Sequence, residues 1–286
     1  MAIDRRMLLT GVLLLASACS PAVPGTTSTG SSASVAASPS ASSTAASAST
    51  SPTEPAPSSA PTASLQPLAG KVVVIDPGHN GANAAHPEFI NKPVPDGAGG
   101  TKACNTTGTA TDAGYPEHEL NWQVAIAVRD LLTAQGAQVV LTRPDDAGVG
   151  PCVDQRAATG GAAHADAVVS LHGDGAPVQS RGFFCILTPL APAGPAIAAS
   201  SASLAQQVRD GILATGVMPV ANYEGADGID ASRADLAGLN LSTVPTTMCE
   251  LGNMRNAADA AVQTSEQGRA ALASGVAAGV RAFLGG

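Results

Sequence analysis

The sequence predicts an α/β fold: a single three-layer domain over residues 67–286, its mainly parallel sheet covered by helices on both faces. Three observations carry that expectation. Short, largely apolar runs, such as Lys71 to Ile75 and Ala167 to Leu171, suit strands buried on both sides. Stretches of helical period lie between them. Turn residues such as Asp76-Pro77-Gly78 punctuate the boundaries.

The elements follow in order. KVVVI (71–75) reads as a strand ending in the Asp76-Pro77-Gly78 turn, and Asn80 to Tyr115, dense in Gly, Asn, Pro and Thr, reads as a long loop. Leu120, Val124, Val128, Leu131 and Leu132 recur at three- and four-residue intervals, which places a helix over about 117–135, ended by Gly136. Residues 138–142 form a strand, 154–163 a helix and 167–171 a strand. Residues 182–188 read as another strand, and 197–214 as an Ala/Ser-rich helix. A strand over 246–251 and a terminal helix over 265–284 complete the domain.

Two segments precede it. Residues 1–18 have the pattern of an export signal: Arg5 and Arg6, then an apolar run from Met7 to Leu15. That run is too short for a bilayer, which needs about 20 apolar residues. Ala16-Ser17-Ala18 offers an A-x-A cleavage site, and with Cys19 the same residues also read as a lipobox. The cysteine at that position favours a lipidated Cys19, although Ala16 stands where a lipobox typically has Leu. The product is then a membrane-anchored envelope lipoprotein, the alternative being a secreted protein. Residues 19–66 are almost only Ser, Ala, Thr and Pro, too poor in apolar surface to offset the entropy of ordering, and read as a disordered tether.

The charges up to residue 66 cancel, so the net −8 falls on the domain. An acidic domain excludes a nucleic-acid partner, which requires a basic face. With 2% aromatic residues, stacked-aromatic carbohydrate platforms are also unexpected. A monomer whose only membrane contact is its lipid anchor is the expected form. Among the four remaining cysteines, Cys104 and Cys152 lie in polar loops and are expected to be bridged. Such a bridge closes a 48-residue loop, worth roughly 4 kcal/mol on the chain-entropy account. Cys185 and Cys249, in apolar runs, are expected to remain buried thiols.

Chemistry-bearing residues fall at strand ends, where functional groups of parallel sheets gather. His79 follows the first strand, His172 ends Val168-Val169-Ser170-Leu171-His172, Glu250 ends Met248-Cys249-Glu250, and Glu117 starts a helix. Two imidazoles and a carboxylate can form the protein ligands of a catalytic zinc, with a further glutamate as general base. The same residues also admit ordinary roles: satisfied polar groups at strand ends, a Glu117 complementing the helix dipole, a loop carboxylate at Glu250.

Over residues 71–286 the chain resembles the zinc-dependent N-acetylmuramoyl-L-alanine amidases of the Amidase_3 family. The matching pieces are VVVIDPGHNG (72–81), EHELNWQVA (117–125), VVLTRPDD (139–146), Arg156, DAVVSLHGD (166–174) and PTTMCELGNMRN (245–256). The resemblance implies one zinc ion held by His79, Glu117 and His172, with Glu250 as the catalytic glutamate. It implies hydrolysis of the amide between N-acetylmuramic acid and L-alanine in peptidoglycan or muropeptides. Many members have Lys where this chain has His118, which sets another imidazole near the site. Glu119 competes with Glu117, but residues two apart on a helix point in different directions. His86 and His164 match nothing and read as loop or surface residues. Asp76 can orient a ligand imidazole or cap its own turn. Arg143 and Arg156 can bind peptide carboxylates or pair with acids inside the domain. The competing functions are a catalytically inactive peptidoglycan-binding lipoprotein and a zinc peptidase acting on stem peptides.

Overall fold

The computed structural model describes residues 66–286; the export signal, Cys19 and the tether over 19–65 lie outside the described residues. The chain order is β1 (Val72–Pro77), α1 (Pro87–Ile90), β2 (Pro93–Pro95), β3 (Thr101–Ala103), α2 (Glu117–Thr133), β4 (Gln138–Leu141), α3 (Val153–Ala162) and β5 (Ala167–Asp174). Then come β6 (Phe184–Ile186), α4 (Pro195–Ala214), β7 (Ile229–Asp230), α5 (Ala237–Asn240), β8 (Thr246–Asn253), α6 (Ala257–Thr264) and α7 (Glu266–Phe283).

Six strands form one sheet in the order β4-β1-β5-β8-β6-β7. β4, β1, β5 and β8 are mutually parallel, whereas β6 runs antiparallel to β8. Side chains alternate between the faces of a strand, and here the alternation divides the sheet cleanly. Val73, Ile75, Val169, Leu171, Cys249 and Leu251 point into one large core under α2, α4 and α7. α2 joins that core because Leu120, Val124, Val128 and Leu132 form one buried stripe along it. Each such side chain contributes about 1.5–3 kcal/mol on full burial. The opposite face is covered by the shorter α3 and α5, over smaller apolar clusters at Val74 and Val168 and at Phe184 and Met248. Helices therefore cover both faces, as the sequence predicts. Among the described residues no helix is long and apolar enough to cross a membrane.

The stretch read as one long loop carries the short α1 and the β2–β3 hairpin. Its three-residue strands, PVP and TKA, are too brief to leave a periodic signal. The single terminal helix proves to follow a separate α6, from which Ser265 divides it by capping α7 through Gly268 N–H.

Cys104 is joined to Cys152. The expectation of buried thiols at Cys185 and Cys249 is corrected: these two are joined as well. The cause is strand pairing. β6 returns antiparallel to β8 with Cys185 directly opposite Cys249, and both side chains project into the large core.

Candidate metal centre

His79, Glu117 and His172 converge at the carboxyl edge of the sheet, their ligand atoms all within 4.8 Å of one another. Glu117 is the hub. Its Oε1 lies 3.0 Å from His79 Nε2 and 2.9 Å from His172 Nδ1. The same oxygen accepts from Asn121 Nδ2 and from Gly173 N–H, each at 3.2 Å, and Oε2 accepts from Thr109 N–H at 2.9 Å. Burial alone would raise the Glu117 carboxyl, but the adjacent His79 and His172 outweigh it and hold the group well below the usual carboxylate range.

His79 sits at φ +61°, in the left-handed region that non-glycine residues seldom occupy. Such a conformation costs of order 1–3 kcal/mol and persists where surroundings impose it. Here Gly78 N–H donates to Leu171 O at 2.9 Å and Arg156 Nη2 donates to His79 O at 2.7 Å. The ring is oriented too: Nδ1 donates to the Thr106 carbonyl at 3.1 Å, which leaves the Nε2 lone pair facing the cluster. Gly78 is required by contact, since a Cβ there would strike the His172 ring. Gly108, at φ +76°, brings backbone against the other side; its Cβ would lie 2.6 Å from Glu117 Oε2.

Glu250 stands beside this cluster because β5 and β8 are parallel and in register, His172 opposite Glu250. Its side chain lines the same cavity of about 210 Å3 as His79 and His172, and its buried Oε2 has no hydrogen-bond partner. Burial, then repulsion from Glu117 and Asp174, pushes its carboxyl well above the usual range, with Arg233 opposing. A carboxyl poised in this way suits general acid–base work. Two imidazole nitrogens and one carboxylate oxygen suit a borderline divalent cation such as zinc. The donor set thus fits the ion that the sequence implies.

The remaining sequence-singled residues separate into supports and bystanders. Asp76 does not touch an imidazole. It accepts from Thr142, from Arg156 Nη1 at 2.8 Å and from Ser170 Oγ at 2.7 Å. Arg156 also donates to Pro77 O and Pro151 O, so it is a clamp on the turn before His79. Arg143 is buried over the Trp122 ring and donates to Pro77 O, His118 O, Asp145 O and the Asp146 carboxylate. With most of their donors engaged inside the domain, both arginines brace backbone and pair with its acids, Arg143 with Asp146 and Arg156 with Asp76. His118 turns from the cluster to Asp146, with Nδ1 2.8 Å from its carboxylate. Glu119 accepts from Gln123, and His86 pairs with Glu88 at the surface.

Sequence reasoning missed Asn121, Thr106 and Thr109. Asn121 was legible, being four residues after Glu117 on one helical face. Thr109 acts through its backbone N–H, and Thr106 through its carbonyl and its hydroxyl; both lie in irregular chain that leaves no pattern.

Comparison with known proteins agrees with this geometry. Residues 73–282 match the Amidase_3 family of N-acetylmuramoyl-L-alanine amidases. The chain is 46% identical over 217 residues to the N-acetylmuramoyl-L-alanine amidase Rv3717 of Mycobacterium tuberculosis, covering 76% of this chain and 88% of that protein. The crystal structure of the N-acetylmuramyl-L-alanine amidase Ami1 from Mycobacterium smegmatis superposes with a TM-score of 0.72 at 43% identity, over 76% of this chain and 98% of that one. The apo form of Ami1 from Mycobacterium abscessus gives 0.71 at 45% identity, over 76% and 100%. On the family match, the identity and the shared fold, the chain belongs to the Amidase_3 family of N-acetylmuramoyl-L-alanine amidases.

Proposed function

We propose that the protein is a zinc-dependent N-acetylmuramoyl-L-alanine amidase that hydrolyses the bond between N-acetylmuramic acid and L-alanine in peptidoglycan. The observation that carries the reading is one cavity lined by two imidazoles, which a buried carboxylate joins from behind, and by a buried, unpartnered Glu250. Family membership supplies the bond.

His79, Glu117 and His172 are the residues that would hold the ion. Bound there, zinc supplies a Lewis acid that polarises the scissile carbonyl and lowers the pKa of water. Glu250 takes the proton from the attacking water and returns it to the departing L-Ala amine, so that one carboxyl serves as base and then as acid. The Thr106 carbonyl keeps His79 in the tautomer that offers Nε2, and Thr109, Asn121 and Gly173 hold the Glu117 carboxylate between the two imidazoles. Arg156 and Arg143 hold the backbone from which these side chains project.

The wider organisation rests on sequence: export by residues 1–18, a lipidated Cys19, a tether over 19–66, a monomeric catalytic domain from 67 and an envelope location. Mass spectrometry of the mature N-terminus decides between lipidated Cys19 and simple secretion.

A zinc peptidase cutting within the stem would use the same ligands and base, so product mass separates the two readings. Digestion of purified muropeptides is expected to release intact stem peptides with a free L-Ala amine, leaving N-acetylmuramic acid with a free lactyl carboxylate. Shortened stems still attached to muramic acid, or no products at all from zinc-loaded protein, would overturn the assignment.

A further inference from the structure

The cavity holding the metal cluster is walled on one side by the β2–β3 hairpin and on the other by the start of α5. Lys102, on β3, is part of that wall, and its Nζ reaches across to donate to the Asp235 carbonyl at 2.6 Å. The Asp235 carboxylate is already engaged: Arg233 grips it with two hydrogen bonds, at 2.7 and 2.9 Å. Lys102 is therefore anchored by a neutral carbonyl and forms no ion pair among the described residues. An ammonium has three donors, and one is accounted for by Asp235. The other cation lining the cavity, Arg156, is spent on Asp76 and on main-chain carbonyls. A cation with donors to spare thus remains in the wall of the cavity; Asp96 and Asp235 lie near enough to feel its charge, but neither carboxylate forms an ion pair with it.

The lysine is also held in place. Two residues beyond it, Cys104 is joined to Cys152, the N-cap of α3, so the end of β3 is fixed covalently. Cys104 N–H donates to Lys92 O at 2.8 Å, which closes the hairpin base. At its other end Asn240 Nδ2 donates to Asp96 O at 2.9 Å. A cation fixed before the ligand arrives loses less conformational freedom on binding it.

We propose that Lys102 forms a carboxylate subsite, which receives a free carboxylate of the stem peptide and makes the enzyme discriminate against stems amidated at that carboxylate. The inference rests on the amidase reading above and adds the part of the substrate recognised. An ammonium–carboxylate contact is charge-assisted and favours a carboxylate over its neutral amide. Lys102 lines the same cavity as His79, His172 and Glu250, which places the contact on the stem near the scissile bond. The candidates are the carboxylates of the second and third stem residues.

The test uses zinc-loaded full-length protein and three muropeptides that differ only in amidation: none, at the second residue, or at the third. One of the two amidations is expected to lower kcat/KM by roughly 10- to 100-fold, mainly through KM. Lys102→Met should bring that ratio to near one, and Lys102→Arg should keep most of it. Equal kcat/KM for all three substrates with the wild-type chain would overturn the subsite, as would a wild-type ratio in Lys102→Met. In either case the amidase reading would stand, because hydrolysis itself would have been observed. A wild-type chain that released no intact stem from any of the three would remove that reading first and the subsite with it.

Discussion

The two faces of the central sheet are built from the same strands, yet they do opposite work. Toward α2, α4 and α7 the strands present Val73, Ile75, Val169, Leu171, Cys249 and Leu251, all fully buried, in a continuous apolar core. Toward α3 and α5 the intervening positions of the same strands present Asp76, Ser170, His172 and Glu250 at the carboxyl edge. A strand's period of two makes this division possible: one face anchors the strand while the other offers polar groups to a cavity. The difference teaches that the rigidity of the site comes from behind it. His172 and Glu250 hold their places because Leu171, Cys249 and Leu251, their immediate neighbours in sequence, are locked into the core, with Cys249 also bonded to Cys185.

Adjacent substitutions in β8 should break the comparison most sharply. Glu250→Gln is expected to lower kcat by roughly 10²–10⁴-fold, equivalent to about 3–5 kcal/mol, while leaving the unfolding midpoint close to wild type. Leu251→Ala, one residue on and facing the core, should cost about 2–5 kcal/mol of stability and lower the kcat of the folded fraction far less than Glu250→Gln does. Steady-state kinetics beside denaturant unfolding reads both effects. Were Glu250→Gln to cleave at the wild-type rate, or Leu251→Ala to lose activity without stability, the division of labour between the faces would be wrong.

A smaller effect tests the polar face alone. Burial would raise the Asp76 carboxyl, but the Arg156 charge and hydrogen bonds from Thr142, Ser170 and Arg156 outweigh it and hold it at about 2. A carboxyl depressed on folding adds stability that is present above its unfolded value, near 3.8, and is lost as pH falls through 2. The shift corresponds to about 2 kcal/mol. Unfolding of wild type and Asp76→Asn should therefore differ at pH 6, and the gap should shrink by about 2 kcal/mol at pH 2. A gap unchanged between the two pH values would show that Asp76 does not titrate as its contacts require.

Much of this was legible in the sequence because it rests on local periodicity. Val72 to Ile75 and Val168 to Leu171 announce buried strands, and the stripe from Leu120 to Leu132 announces α2. His79, His172 and Glu250 stand toward the carboxyl ends of such strands and Glu117 at the start of α2, so their convergence could be read from topology and motif together. What stayed hidden depends on relations across the fold. The adjacency and register of β6 beside β8 are set by the fold as a whole, and they bring Cys185 opposite Cys249. Lys102 lies in a stretch whose strands are three residues long, and only the folded hairpin sets it over the cavity. The arginines showed the same limit. Arg143 and Arg156 were visible as cations, but main-chain carbonyls, which sequence does not display, consume their donors.

The most direct test of the account is zinc binding measured by titration calorimetry on metal-stripped protein, with wild type, Glu117→Gln and Glu250→Gln compared. One zinc per chain is predicted for wild type and for Glu250→Gln, since Glu250 serves the reaction rather than the ion. Binding to Glu117→Gln should be weaker by roughly 10-fold or more, because the oxygen shared by His79 and His172 is replaced by a neutral amide. Wild-type affinity in Glu117→Gln, or full hydrolysis by metal-free wild type, would contradict the claim that these three side chains form the catalytic metal centre.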